Sequence, residues 1–293
     1  MADPFKLPEQ KEPASFDKSG FDKSNYDKAN VEKGSVDKGS LELKTQEFMP
    51  TILIGLGGTG KEVMLRIRRQ FVEKYGSLDD FPITSYLYID TDNAPAEESG
   101  IARERDYLIN EIDFKPSEKI FNPVNPSDYI HRINDVPHIK EWLNTTGEIG
   151  KLGTMNTGAG QIRPAARLAF YHNYDEIVYK LASAKSTITD SRSINVVKDR
   201  HNIKSVNTEK INVYVITSIS GGTGSGMYID MGFLIRHLFR NQAVSSCYIV
   251  LPKIYQGYGK ERVFANGYAA LMELEHYNLK NPFNVAWNKN DNN

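Results

Sequence analysis

The sequence predicts an α/β domain, a Rossmann-like three-layer arrangement of a parallel sheet with helices on both faces. Two observations predict it. From Met49 onward, short apolar runs of strand length alternate with longer amphipathic stretches, the pattern of a parallel sheet covered on both sides. Two of those runs end in glycine-rich turns that lead into helical patterns, "IGLGGTGKEV" at 54–63 and "SISGGTGSGM" at 218–227.

Each element has its own justification. "PTILIGL" (50–56) is a buried strand, and 61–76 follows as a helix with Val63, Ile67 and Phe71 on one face and basic residues opposite. "ITSYLYID" (83–90) is the second strand. The segment 112–150 is rich in Pro and Asn, with a short helix expected near 127–143. The segment 185–210 is polar and reads as a loop or surface excursion. "INVYVITSIS" (211–220) is the third strand, 226–240 the helix after it, "SSCYIVLPK" (245–253) the fourth strand and 262–277 a further helix. Cys247, the single cysteine, is expected at a buried strand position and cannot form an internal disulfide.

Residues 47–293 are expected to form one domain, and residues 1–46 a disordered tail. "FDKSG FDKSN YDKAN VEKGS VDKGS" (16–40) repeats every five residues, a period that builds neither a helix face nor a strand face. Its apolar surface is too small to offset the entropy of ordering. The alternative is a string of docking motifs anchored by Phe16, Phe21 and Tyr26.

Composition narrows the function classes. The 293 residues are 40% hydrophobic and 25% charged, ordinary for a soluble globular protein, and the formal net charge of -1 gives no footprint for nucleic acid. No apolar run approaches the roughly 20 residues of a membrane span, and no signal core opens the chain. The expected compartment is the cytoplasm.

The two glycine loops carry the chemistry. Gly55, Gly57 and Gly60 make G-x-G-x-x-G between a strand and a helix, as a dinucleotide fingerprint requires. Gly55, Gly60 and Lys61 also make G-x-x-x-x-G-K, but Glu62 stands where Ser or Thr would hold magnesium, which argues against a P-loop. The second loop has no Lys. Successive backbone N–H groups at Gly221, Gly222, Thr223, Gly224, Ser225 and Gly226 can cradle an anion without one, with Ser220, Thr223 and Ser225 adding hydroxyls. Both loops lie at strand carboxyl ends, so both can face one crevice.

At this point the chain resembles a family. "GGTGSG" (221–226) is similar to the glycine signature of tubulin and its bacterial relative FtsZ, with Ser220 in place of the family's first glycine. "GLGGTGKE" (55–62) resembles the family's first phosphate loop, including Gly58 and Thr59. "DTDNA" (90–94) resembles the segment after its second strand. "NTGAGQIRP" (156–164) resembles its third loop, with Gly158, Ala159 and Gly160 near a γ-phosphate. "LPKIYQGYGKER" (251–262) resembles the ribose segment. Arg262 is the best match there, and either Gln256 or Glu261 stands for the acid. The resemblance covers most of 50–277 and is nearest to divergent bacterial tubulin-like domain proteins.

The resemblance implies a guanine nucleotide, GTP or GDP, with Mg²⁺ held by Asp90 and Asp92 and the phosphates, directly or through water. Glu62 would read guanine N1–H and N2–H, or only complement the helix dipole. Arg163 would meet the γ-phosphate, or form a surface salt bridge. The family's base-stacking helix, catalytic acidic loop and second domain have no counterpart before Asn293. A fragment or a stripped form is therefore expected, one that is a GTPase only if a missing segment or partner supplies the loop. Catalytic residues are not assigned. The implied role is nucleotide-controlled self-assembly of a cytoskeletal kind. One rival is an NAD- or FAD-binding oxidoreductase, argued from the G-x-G-x-x-G and Asp90. The other is an interaction module that docks a protein partner through the tail repeats.

Overall fold

The computed structural model describes residues 47–93, 109–255 and 260–287. The pentad repeats of 16–40 and the candidate Gln256 lie outside them. The first described strands are β1 (Glu47–Phe48) and β2 (Thr51–Leu56), followed by helix α1 (Gly57–Tyr75) and strand β3 (Thr84–Ile89). A short helix α2 (Ile109–Ile112) and strand β4 (Lys119–Ile120) come next, then α3 (Pro126–His131) and α4 (Pro137–Lys140). Helices α5 (Arg163–His172), α6 (Tyr174–Thr189) and α7 (Ser191–His201) run in succession to β5 (Ser205–Val206). The rest is β6 (Ile211–Ser218), α8 (Thr223–Phe239), β7 (Ala243–Val250) and α9 (Lys260–Asn278).

The main sheet has the order β4-β3-β2-β6-β7, and every neighbouring pair is parallel. Chain order reverses between β2 and β6, so a crevice opens above their carboxyl ends. Thr51 of β2 pairs with Thr84 of β3 and Asn212 of β6, and that register carries Leu56 level with Ile89 and Thr217. Both glycine turns therefore leave the sheet at one height.

The period of two in β2 sorts its side chains between two layers. Ile52, Ile54 and Leu56 join Phe170 of α5, Ile177 and Leu181 of α6 and Met231 of α8 in the larger core. Leu53 points the other way and joins Met64, Leu65 and Val72 of α1 with Ile216. A third cluster of Phe81, Ile83, Val197 and Ile203, with Phe48, Phe71 and Tyr75 against it, closes the amino ends of the strands.

Four expectations need correction. The region 185–210 is not a loop: α6 runs to Thr189 and α7 occupies 191–201. Its polarity arises because α7 buries only Ser193 and Val197. The helix expected over 127–143 is broken into α3 and α4 with a 3-10 turn between, Pro137 opening the second piece. Cys247 is in a strand but exposed, because β7 is the sheet edge and keeps 244–248 open to solvent. On α1 the buried residues beyond the first turn are Lys61, Met64, Leu65, Arg68 and Val72, while Val63 and Ile67 are only half-buried.

Arg68 is the strongest departure, since its basic neighbours had placed it on the solvated face. It is fully buried. Nε donates to the Ile112 carbonyl at 2.6 Å, Nη2 to the Asp113 carbonyl at 2.9 Å and Nη1 to Glu118 at 2.9 Å. The guanidinium stacks on Tyr86 and Phe114, 4.6 and 4.8 Å from their ring centres. One side chain thus satisfies the carbonyl end of α2 and ties the segment leading to β4 onto α1.

Candidate functional site: a cavity at two helix N-termini

The first glycine turn is shorter than its sequence suggests. Helix α1 begins at Gly57, directly after β2, so Gly57, Gly58, Thr59 and Gly60 form its first turn. Gly57 enters it at φ 71°, a conformation that glycine adopts at little cost. Helix α8 likewise begins at Thr223. Neither helix has a side-chain cap at its N-terminus, and neither has an acidic residue in its first turn. The first-turn N–H groups have no partner within their helix, and the helix dipole adds positive potential there.

These two N-termini converge. A cavity of about 250 Å³ is lined by Gly57, Gly58 and Thr59 from α1 and by Ser218, Ser220, Gly221, Gly222, Thr223 and Gly224 from the second loop and α8. Gln161, which precedes α5, also lines it, as do Leu56, Tyr255 and Val263. No Asp, Glu, Lys or Arg is among these residues. Thr59 Oγ1 and the Tyr255 hydroxyl share a hydrogen bond of 2.5 Å, which links α1 to the turn after β7.

The donor set fits a polyphosphate. Backbone N–H groups and hydroxyls surround the space, and carboxylates are absent from its lining. Ser220 Oγ is buried without a hydrogen-bond partner, on a residue that lines the cavity. A hydroxyl in that state costs free energy unless a ligand meets it.

Several glycines serve packing, one of them, Gly222, in addition to lining the cavity. A Cβ on Gly60 would lie 2.7 Å from the Gly55 carbonyl carbon and 2.8 Å from the Ile216 carbonyl oxygen, so Gly55 and Gly60 let α1 lie close on β2 and β6. Gly226 lets α8 approach the backbone of Arg163 at the start of α5. A Cβ on Gly222 would lie 3.0 Å from that of Ala159, which brings the 158–162 loop against the second glycine loop. Gly158 and Gly160 adopt φ 96° and 57°, and the Gly158 N–H donates to the Thr91 carbonyl.

Asp90 is 7% exposed, and both its oxygens are engaged. Tyr88 donates to Oδ2 at 2.7 Å; Thr223 Oγ1 at 3.0 Å and the Thr91 N–H at 2.7 Å donate to Oδ1. Burial raises its pKa from the ordinary carboxylate value, and these donors hold it down in part. Burial also pushes the Tyr88 hydroxyl up, with the Asp90 charge adding to it. Asp90 therefore ties the end of β3 to the start of α8. Asp92 is half-buried and bridges to Thr157, joining the turn after β3 to the 156–164 loop. Among the described residues no cluster of three or more His, Cys, Asp or Glu side chains could hold a metal alone.

Several other candidates lie outside the cavity lining. Glu62 pairs with Arg66 at 2.6 Å, one turn along α1. Arg163 bonds Glu273 and the Ser225 carbonyl, lining a separate cleft with Arg167 and Asp230. Ser225, whose hydroxyl donates back to the Gly221 carbonyl, lines that cleft with Gly226. Arg262 bonds Glu148 at 2.7 Å and the Gly160 carbonyl at 3.2 Å, bracing the third loop from outside. Glu261 is exposed on α9.

Sequence reasoning missed Asn266. It is buried on α9, and its Nδ2 donates to the carbonyls of Gln161 at 3.0 Å and Ser220 at 3.2 Å, with Gly221 at 3.4 Å. A signal existed: Val263, Asn266, Gly267 and Ala270 form the helix's inner face, and Asn266 is its only side-chain amide.

No helix among the described residues is long and apolar enough to cross a membrane. No curated protein matches the sequence. Solved structures to which the chain is similar include CetZ1 from Haloferax volcanii, described as a GDP bound monomer, at 12% identity. That match covers 76% of this chain and 47% of the other, with TM-score 0.44. TubZ from Bacillus thuringiensis serovar israelensis, described as a GTPγS-form protofilament, matches at 13% identity over 80% of this chain and 44% of the other, with TM-score 0.42. CetZ from Methanosaeta thermophila matches at 14% identity over 77% and 42%, with TM-score 0.42. The chain thus spans less than half the length of these proteins. A family model described as "Tubulin like" matches residues 52–292, nearly all of the α/β region. The chain belongs to the tubulin-like family.

Proposed function

We propose that the chain binds a guanine nucleotide, GTP or GDP, with its phosphates in the cavity between the N-termini of α1 and α8. The single observation that carries this reading is the convergence of two uncapped helix N-termini on one cavity whose lining has no carboxylate. Phosphates accept from N–H groups there and interact favourably with both helix dipoles. The choice of guanine rests on family membership. Glu62 is proposed as the base-reading or dipole-complementing residue, and Arg163 as a γ-phosphate contact only if it leaves Glu273. Mg²⁺, if held, is bound mainly by the phosphates, with Asp90 and Asp92 proposed as the carboxylate contacts, directly or through water.

Binding is proposed to control self-association or docking with a protein partner in a cytoskeletal role. GTP hydrolysis is expected only where another segment or a partner supplies an acidic loop. The dinucleotide reading is weaker, because a single strand-helix fingerprint suffices for it while two glycine turns share this cavity.

Isothermal titration with GTP, GDP and ATP tests the proposal. Saturable binding of GDP and GTP, at least tenfold tighter than ATP, is expected. Equal affinity for ATP removes the guanine assignment, and no binding of any of the three removes the nucleotide reading.

A further inference from the structure

We infer that Asn266 is a positioning residue that turns the peptide planes of the two cavity loops so that their N–H groups face the phosphates; this rests on the nucleotide reading above. A trans peptide holds its C=O and N–H antiparallel. The Asn266 amide draws the Ser220 and Gly221 carbonyls toward α9. The N–H groups on the far sides of those two peptides, belonging to Gly221 and Gly222, are thereby turned away from α9, and both residues line the cavity. The same amide holds the Gln161 carbonyl. Gln161 has φ 60°, a left-handed conformation uncommon for a residue with a side chain. One buried side chain thus fixes the second glycine loop and Gln161, two residues before α5, together.

The rest of α9 reinforces the clamp. Arg262, one turn before Asn266, holds the Gly160 carbonyl. The Tyr228 hydroxyl of α8 donates to the Ala270 carbonyl, one turn after it. Gly267 allows the helix to rest on Pro252 without a Cβ between them. Among the described residues of α9, Asn266 is the one whose side chain hydrogen-bonds both loops. Its two amide hydrogens face three carbonyl oxygens, an arrangement that a carboxylate of equal shape would repel.

The test compares wild type, Asn266→Asp and Asn266→Ala for binding of GDP and of guanosine, which lacks phosphates. Wild type should bind GDP, and the Asp variant should bind it about tenfold or more weakly, the scale of losing one charge-assisted hydrogen bond. Guanosine affinity should change less than twofold. Lowering the pH should return part of the GDP affinity of the Asp variant, because the protonated carboxyl regains one donor. If wild type binds GDP and both variants bind it equally well, this inference fails while the nucleotide reading stands. If GDP and guanosine weaken in parallel, Asn266 is only a packing residue. If wild type does not bind GDP, both readings fail. Should neither variant fold, amide hydrogen exchange in wild type decides: GDP should slow exchange at Gly221 and Gly222, and unchanged exchange overturns the inference.

Discussion

Gly57 and Thr223, far apart in the chain, meet where the two helices begin: a Cβ on Gly57 would lie 3.2 Å from Thr223 Cβ. Gly57 has φ 71°, so a side chain there is strained as well as crowded. Gly57→Ala should lower stability by about 1–3 kcal/mol, combining the left-handed penalty with the contact. Gly58 has nothing within 4 Å of a Cβ. Gly58→Ala should leave the melting temperature unchanged or slightly raised, since alanine favours helix, yet weaken GDP by placing a methyl at the cavity lining. Thermal unfolding and GDP titration of both variants check the pair; equal stability loss contradicts the assignment.

Ser220 offers a sign test. Its hydroxyl is buried without a partner, so Ser220→Ala should leave the ligand-free protein as stable as wild type or more stable. GDP affinity should fall about fivefold, roughly 1 kcal/mol, if the hydroxyl meets phosphate. A destabilised variant with unchanged affinity would show the hydroxyl to be structural.

Arg68 makes a stability prediction independent of any ligand. Arg68→Ala removes the partner of Glu118 and of two carbonyls, and should cost about 3–5 kcal/mol. Arg68→Lys should recover little of it, since an ammonium lacks the planar fork that reaches all three acceptors. Urea denaturation measures both.

Asp90 has a defined pH signature. Burial raises its folded pKa above the unfolded value, so the stability it contributes is present in full at acid pH and is lost as pH rises through the folded pKa. The stability of wild type relative to Asp90→Asn should therefore fall as pH rises through that range. Urea midpoints of the two proteins across the acid-to-neutral range give the slope; a rise with pH contradicts the desolvated carboxylate described above.

Strands β2, β3, β6 and β7 and their parallel sense were legible because apolar runs of strand length leave few other readings, as at Ile52–Leu56 and Val213–Ile216, whereas β1, β4 and β5, two residues each, are too short to show a period. The start of α1 was not, since Gly57–Gly60 look like a loop until tertiary contacts fix them as a helical turn. Helix α7 escaped notice because two buried residues in 191–201 give no periodic signal. The glycines were legible as a class, but not their division of labour. Only packing distances show that Gly55, Gly60 and Gly226 let backbones touch, that Gly58 and Gly221 line the cavity with open space around them, and that Gly57, Gly222 and Gly224 do both. Arg68 and Asn266 were hidden for a related reason: a polar side chain on an inner face is recognised only once its partners, distant in sequence, are known.

A crystal structure of the protein with GDP tests the central claim most directly. Phosphate oxygens are predicted within hydrogen-bond distance of the N–H groups of both Gly58 and Gly222. A nucleotide held elsewhere, or touching only one of the two helix starts, would contradict it.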